Sequence, residues 1–255
     1  MTVVRGDIIL SADKLGKRFG GFAAVTDVDL EVRRGSIHAL IGPNGAGKTT
    51  CFNLLTKFLQ PTSGTILFNG RDITRLPPAE IAQLGLVRSF QISAVFPRLS
   101  ALENVRLALQ RRTRGDSFDF WRSERSLHAL DDKARERIAE VGLSDYAEVA
   151  AGALPYGRKR ALEIATTLAL EPQMLLLDEP MAGMAHEDIG RIAALIKSVS
   201  VGRTILMVEH NLSVVADLSD RITVLARGRV LAEGSYDEVS KDPRVIEAYI
   251  GVGHG

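Results

Sequence analysis

The chain has a single cysteine, Cys51, among its 255 residues. One thiol excludes an intramolecular disulfide and is typical of proteins from a reducing compartment. Its neighbours follow a helical apolar pattern, so we expect Cys51 to be a small buried side chain and not a nucleophile.

An excess of charge of one sign is also lacking, because 32 basic residues are balanced by 31 acidic ones. A balanced chain has neither the basic surface of a nucleic-acid-binding protein nor a polybasic membrane patch. No uncharged apolar run approaches the roughly 18 residues of a membrane span. The first residues lack the apolar core of a signal peptide. We therefore expect a soluble, cytoplasmic chain with no nucleic-acid partner.

One glycine-rich motif dominates the sequence, and its residues are Gly42, Pro43, Asn44, Gly45, Ala46, Gly47, Lys48, Thr49 and Thr50. It fits the phosphate-loop pattern G-x-x-x-x-G-K-[ST]. An apolar run, 37–41, precedes it and predicts a buried strand. The apolar residues that follow, up to Leu59, have helical spacing.

A strand that turns through glycines into a helix aims several backbone N–H groups at one point and suits an anion. Lys48 would supply charge to the outer phosphates, and the Thr49 hydroxyl would bind Mg²⁺. The alternative is a glycine-rich turn that binds nothing.

Two further apolar strands end in polar residues. Met174–Leu177 leads to Asp178 and Glu179, which suit a metal ligand and a water-activating base. The alternative is an acidic turn without a ligand. Thr204–Val208 leads to Glu209 and His210, and His210 could reach a γ-phosphate or be an ordinary satisfied histidine. Gln91, after another predicted strand, could contact Mg²⁺ or water.

The short apolar runs 8–10 and 28–32 predict strands, and a helix is expected near 212–218. The rest of the chain alternates short strands with helices, which predicts an α/β fold with a largely parallel, three-layer sheet. Its ligand would bind at the carboxyl ends of the strands. In about 92–155 the strand signals disappear, and Leu102–Gln110 and Ser126–Val141 have helical periodicity. We expect this segment to be a helical lobe inserted into a single domain that spans 1–255.

Taken together, these motifs closely resemble the ATP-binding subunits of ABC transporters. Leu154–Ala165 is similar to their signature and its helix, Arg88–Gln91 to the Q-loop, His210 to the switch histidine and Phe19 to the adenine-stacking aromatic. The resemblance covers roughly 8–251 and implies a P-loop NTPase core with an inserted α-helical subdomain and an N-terminal antiparallel β subdomain.

The resemblance also implies ATP and Mg²⁺ as ligands and assigns roles to residues. These are the catalytic Lys48, Gln91, Glu179 and His210; the metal ligands Thr49, Gln91 and Asp178; and the nucleotide contacts Phe19, the loop 42–50, Tyr156 and Gly157. It implies that two ATP molecules lie between two such domains. The expected partners are a second ATP-binding subunit, identical or homologous, membrane permease subunits, and indirectly a solute-binding protein outside the membrane. The chain would then be peripheral on the inner face of the membrane.

Among the branches of the family, importers of branched-chain amino acids are the most similar. The Tyr156–Gly157 signature, the segment 180–184 and the tail 233–251 carry this resemblance. Related branches import urea or short amides or extract lipopolysaccharide. Rival functions are a soluble ABC ATPase acting on DNA or ribosomes and a P-loop phosphotransferase. Two positions depart from the family pattern, since Pro155 replaces the signature serine and Ala185 replaces the D-loop aspartate.

Overall fold

The computed structural model describes residues 7–89, 95–113 and 124–250. The described strands are β1 (Ile8–Phe19), β2 (Phe22–Arg33), β3 (Ile37–Ile41), β4 (Ser63–Phe68), β5 (Arg71–Asp72), β6 (Leu86–Ser89), β7 (Met174–Asp178), β8 (Thr204–Val208), β9 (Arg221–Ala226) and β10 (Arg229–Gly234). The helices are α1 (Lys48–Leu55), α2 (Pro78–Gln83), α3 (Ala101–Thr113), α4 (Glu124–Glu140), α5 (Tyr156–Leu168), α6 (His186–Val199), α7 (Leu212–Leu218), α8 (Tyr236–Ser240) and α9 (Pro243–Ile250).

The central sheet has the strand order β10-β9-β3-β8-β7-β6. All neighbours in it are parallel except the edge hairpin of β9 and β10. A second sheet, in the order β2-β1-β4-β5, is antiparallel throughout. The predicted α/β fold with a mainly parallel sheet and an N-terminal antiparallel part is therefore confirmed.

Three strands of the central sheet, β3, β7 and β8, are buried along their whole length. Parallel strands covered on both faces have this continuous apolar character. Alternate side chains enter two separate cores, so that Ile41 packs on the helical side while Leu40 packs with α1 and the antiparallel sheet. The central sheet is thus the middle one of the three predicted layers, and the two cores lie on its two faces.

Between β6 and α5 the described residues form α3 and α4, which pack on each other and on α5, and two short 3-10 turns, Ser144–Tyr146 and Ala151–Ala153. Helical periodicity therefore identified both helices, while the proposed limits of the lobe at 92–155 stay a prediction. Among the described residues, no helix is long and apolar enough to cross a membrane.

Two boundaries differ from those expected. The helix after the glycine-rich motif ends at Leu55, because Lys57 has a φ of 62° and leaves the helical conformation. Phe58 is consequently half exposed, although its spacing fits the helix. The first hairpin is far longer than the short apolar runs 8–10 and 28–32, and its turn lies at Gly20–Gly21.

Candidate functional site

The sheet order brings the candidate loops together. Strand β3 leads into the glycine-rich motif, its neighbour β8 leads to His210, and the next strand, β7, leads to Glu179. Because these strands are parallel, their carboxyl ends lie at one edge of the sheet. Gln91, which follows the adjacent β6, lies outside the described residues.

Two glycines of the motif lie so close to neighbouring backbone that a side chain would not fit there. A Cβ on Gly42 would lie 2.1 Å from the carbonyl oxygen of Leu225 in β9. A Cβ on Gly47 would lie 2.7 Å from the carbonyl oxygen of Ala24 in β2, and Gly47 has a φ of 98°. These contacts wedge the motif between the two sheets.

The Lys48 side chain curls back over its own loop. Its Nζ donates hydrogen bonds to the carbonyl oxygens of Gly42 at 2.6 Å and Pro43 at 3.0 Å. Burial lowers the pKa of Lys48, and the negative charge of nearby Glu179 partly offsets this effect. The ammonium group and the Glu179 carboxylate therefore belong to one site.

The start of α1 fits a phosphate group. No side chain caps this helix end, and its first turn contains no acidic residue. The first-turn N–H groups thus lack an acceptor from a side chain, and the helix dipole favours an anion there. The hydroxyl-bearing Thr49 is exposed at this end, and space is open around Gly45. The chemistry and the room suit phosphate oxygens and a hard cation.

The two carboxylates after β7 lie in different surroundings. Asp178 is only 1% exposed and forms an ion pair with Arg88, whose Nη2 is 2.5 Å from Oδ2. Glu179 is half buried, with a left-handed φ of 45°, and its N–H donates to the carbonyl of Val208 at 2.9 Å. Left-handed backbone at a non-glycine residue is uncommon and persists where neighbours enforce it.

A fully buried carboxylate, Glu209, joins the two loops. Its Oε1 accepts a hydrogen bond from the N–H of Met181 at 3.0 Å. Its Oε2 accepts from the N–H groups of His210 at 3.0 Å and Asn211 at 3.3 Å. The His210 side chain itself is exposed. Sequence reasoning placed Glu209 at a strand end but missed its role as the link between the loops of Glu179 and His210.

The amino end of α5 lies next to the carboxylate loop. Tyr156 is 56% exposed, and its hydroxyl donates to the carbonyl of Ala182 at 3.0 Å. Gly157 is buried against α6, where a Cβ would lie 2.7 Å from Oδ1 of Asp188. Pro155 occupies the N-cap position of the helix. The signature segment therefore presents Tyr156 at the surface and holds Gly157 inside.

Phe19 is exposed at the end of β1, with the Lys17 ammonium 5.3 Å from its ring centre. The hairpin that carries it reaches the glycine-rich motif through Ala24, which contacts Gly47. An exposed aromatic side chain on this hairpin is available for stacking on a base.

Two arginines near the carboxylates have contacts that sequence reasoning missed. Arg88 binds Asp178 from β6, and Arg160 donates from α5 to the carbonyls of Asp178 at 3.3 Å and Pro180 at 3.2 Å. A buried carboxylate requires a cation or several hydrogen-bond donors. The position of Asp178 at the end of a buried strand therefore indicated that such partners exist. Among the described residues, no group of three or more His, Cys, Asp or Glu could hold a metal on its own.

Comparisons with known proteins agree with this geometry. A family model described as "ABC transporter" matches residues 25–182, and one described as "Branched-chain amino acid ATP-binding cassette transporter" matches residues 229–255. The chain is 40% identical over 253 residues to the high-affinity branched-chain amino acid transport ATP-binding protein BraF of Pseudomonas aeruginosa, covering 95% of this chain and 98% of that protein.

Solved structures agree as well. The ADP conformation of MJ1267, an ATP-binding cassette of an ABC transporter, aligns with a TM-score of 0.84 at 32% identity over 96% of this chain and 99% of that one. A dimeric post-hydrolysis state of the cassette MJ0796, bound to ADP and Pi, aligns with a TM-score of 0.74 at 25% identity over 89% and 98%. The chain therefore belongs to the family of ATP-binding cassette ATPases of ABC transporters.

Proposed function

We propose that this protein hydrolyses ATP to drive the import of branched-chain amino acids through a membrane permease. The observation that carries the proposal is the 40% identity to BraF along almost the whole of both chains. The match of the last residues to a model for branched-chain amino acid cassettes supports the cargo independently. As such a subunit, the chain works as a peripheral protein on the inner face of the membrane.

In this proposal the loop 42–50 and the amino end of α1 bind the phosphates of ATP. When ATP binds, Lys48 gives up its hydrogen bonds to the carbonyls of Gly42 and Pro43 and donates to phosphate oxygens instead. The exchange is possible because the lysine side chain is long and flexible. Phe19 stacks on adenine, an interaction worth about 1–3 kcal/mol.

Thr49, Asp178 and Gln91 would hold Mg²⁺, which supplies positive charge to the phosphate oxygens. The hydroxyl of Thr49 and the carboxylate of Asp178 are hard oxygen donors of the kind this cation prefers. The contribution of Gln91 rests on the Q-loop resemblance alone.

Glu179 acts as the general base that takes a proton from the attacking water, and His210 contacts the γ-phosphate. Three constraints around Glu179 support this assignment: the bond from its own N–H to Val208, the Arg160 contacts with the carbonyls on both sides, and the anchoring of Met181 by Glu209. These contacts fix the backbone from which the Glu179 side chain projects, and a catalytic group on a fixed backbone is more easily positioned for proton transfer.

A second ATP-binding subunit, identical or homologous, would complete the site. MJ0796 forms a dimer with ADP and Pi, and we infer a similar pairing here. Tyr156 is exposed and available to a nucleotide held by the other subunit. Gly157 is buried against Asp188, so its contribution in that pairing is to let α5 lie close to α6.

The permease would bind in a groove of about 660 Å³ between the core and the helical lobe. Phe58 from the core and Leu107 from α3 expose apolar surface on its two sides. An apolar permease segment inserted there would contact both parts of the protein and sense their relative position.

The test is uptake of radiolabelled leucine, isoleucine and valine in cells that lack this subunit and are complemented with wild type or Lys48→Ala. We expect wild type to restore uptake and Lys48→Ala not to. Uptake of urea or short amides instead would reassign the cargo but keep the ATPase. The protein is also purified from these cells together with any subunits bound to it. If no membrane permease accompanies it, the transport function is refuted.

A further inference from the structure

One arginine connects the permease groove to the buried carboxylate of the nucleotide site. Arg88 projects from β6, the edge strand of the central sheet, and its side chain is 13% exposed. It belongs to the lining of the groove, while its Nη2 pairs with Asp178 at 2.5 Å. The same side chain therefore belongs to both regions.

The edges of the guanidinium are held by two different elements. Besides the pair with Asp178 of β7, Nη1 donates to Oδ1 of Asn53 in α1 at 2.6 Å. A planar group with donors in a fixed fork is held more rigidly by such contacts than a lysine ammonium would be. A tilt of the guanidinium plane therefore moves its bond to Asp178.

The faces of the guanidinium are held by aromatic rings. Its carbon lies 5.0 Å from the ring centre of Phe52 and 5.2 Å from that of Phe58, both within cation–π range. Phe52 is fully buried, whereas Phe58 is 51% exposed on the groove. The Arg88 Nε is buried without a hydrogen-bond partner among the described residues, so the rings and the Nη contacts fix the group.

We propose that Arg88 is a positioning residue that transmits the state of the permease groove to Asp178. A permease segment that presses on Phe58 shifts the guanidinium. The shift changes the strength of the Arg88–Asp178 ion pair and thereby the affinity of Asp178 for a divalent cation. This inference rests on the proposed function, because it takes the groove as the permease site and Asp178 as the metal carboxylate.

The sign of the effect follows from charge. In the isolated subunit Arg88 neutralises much of the Asp178 charge, so it competes with a divalent cation for the same carboxylate. Removal of the guanidinium leaves a buried carboxylate that a metal can compensate. A weaker hold on Arg88, caused by loss of the Phe58 ring, should act in the same direction with a smaller effect.

The experiment measures binding of Mn²⁺ to the ADP complex of the full chain by electron paramagnetic resonance, without hydrolysis. Relative to wild type, Arg88→Met should bind Mn²⁺ about tenfold more tightly and Phe58→Ala about threefold more tightly, as expected for loss or loosening of one competing charge. Arg88→Lys should lie between Arg88→Met and wild type, since it keeps the charge and loses the fork.

Phe96→Ala is the matched control. Phe96 is a phenylalanine of the groove with similar exposure, 58% against 51% for Phe58, and its ring is not among the described stacking partners of Arg88. We expect its Mn²⁺ affinity to stay within twofold of wild type. Thermal unfolding of every variant identifies any that fails to fold, and Phe58→Ala, a surface change, still tests the inference if Arg88→Met does not fold.

Equal Mn²⁺ affinity in wild type, Arg88→Met and Phe58→Ala would overturn the inference, as would the same shift in Phe58→Ala and Phe96→Ala. Failure of the proposed function looks different. If the nucleotide site is misassigned, wild type itself binds neither ADP nor Mn²⁺ in the ADP complex. If only the transport function fails, these affinities stay as predicted and the uptake test fails.

Discussion

Arg160 grips the backbone on both sides of Glu179: its Nη2 donates to the carbonyl of Asp178 at 3.3 Å and its Nε to that of Pro180 at 3.2 Å. The side chain starts on α5, which packs with α3 and α4, and it ends in the loop that carries Glu179. The left-handed backbone of Glu179 is thus stabilised from the helical side of the protein. Arg160 therefore links α5, and through α5 the helical lobe, to the loop that carries Glu179.

Arg160 also pairs with Glu163, and both are buried. We predict that Arg160→Met destabilises the protein by about 3–5 kcal/mol, because it leaves Glu163 as an unpaired buried charge. The double variant Arg160→Met/Glu163→Met should recover most of that loss, since a well-packed apolar pair replaces the ion pair. Urea unfolding, analysed with one m-value for all variants, measures the free energy of unfolding of both variants. A single variant as stable as wild type would argue against this account.

Gly42 should not tolerate a side chain. We expect Gly42→Ala to lose more than tenfold in ATP affinity, because a methyl group 2.1 Å from the Leu225 carbonyl must displace the loop. Gly190→Ala is the matched control: Gly190 lies in α6 with nothing within 4 Å of a Cβ. It should bind ATP normally and gain about 0.5–1 kcal/mol in stability. Fluorescent nucleotide titration compares the two, and normal binding by Gly42→Ala would contradict the described loop.

His38 predicts a pH dependence of stability. Burial, with a smaller effect of Arg221, lowers its pKa from 6.5 to about 3, so the native ring is neutral. Its Nε2 is paired with the Thr223 hydroxyl at 2.8 Å. Between these pH values the unfolded chain binds a proton that the folded chain does not. Stability should therefore fall as the pH drops below 6.5, by about 1.4 kcal/mol per pH unit.

The window from pH 6.5 to pH 4.5 isolates this effect. Carboxylates with lowered pKa values, such as Asp72 and Glu238, lose their contribution mainly below their ordinary values of 3.8 and 4.5. His38→Gln, which does not titrate, should flatten the slope in urea unfolding at several pH values. The same slope in both proteins would mean that His38 is not the titrating group.

Local sequence patterns predicted most of the fold because the deciding signals are short in range. The buried strands Met174–Asp178 and Thr204–Val208 and the helix Leu212–Leu218 follow from apolar runs and periodicity. The long first hairpin did not, because β1 contains irregular pairing near Ala12 and Leu15 that breaks the alternation.

The sequence predicted the motifs of the site but not the partners of the motif residues. Gly42, Lys48, Asp178 and Glu179 stand out through composition and spacing, and sheet order then brings their loops together. The partners of these residues come from elsewhere, since Arg88 is 90 positions from Asp178. Which cation meets a buried carboxylate depends on strand order and side-chain direction, and a single sequence does not specify these.

The most direct test of the central claim compares phosphate release from Mg²⁺·ATP by wild type and by Glu179→Gln, with ATP binding measured in parallel. We predict that Glu179→Gln binds ATP as wild type does, releases phosphate at least about 100-fold more slowly, as expected for loss of a general base, and accumulates as an ATP-bound dimer in light scattering. Phosphate release by Glu179→Gln at the wild-type rate would contradict the account.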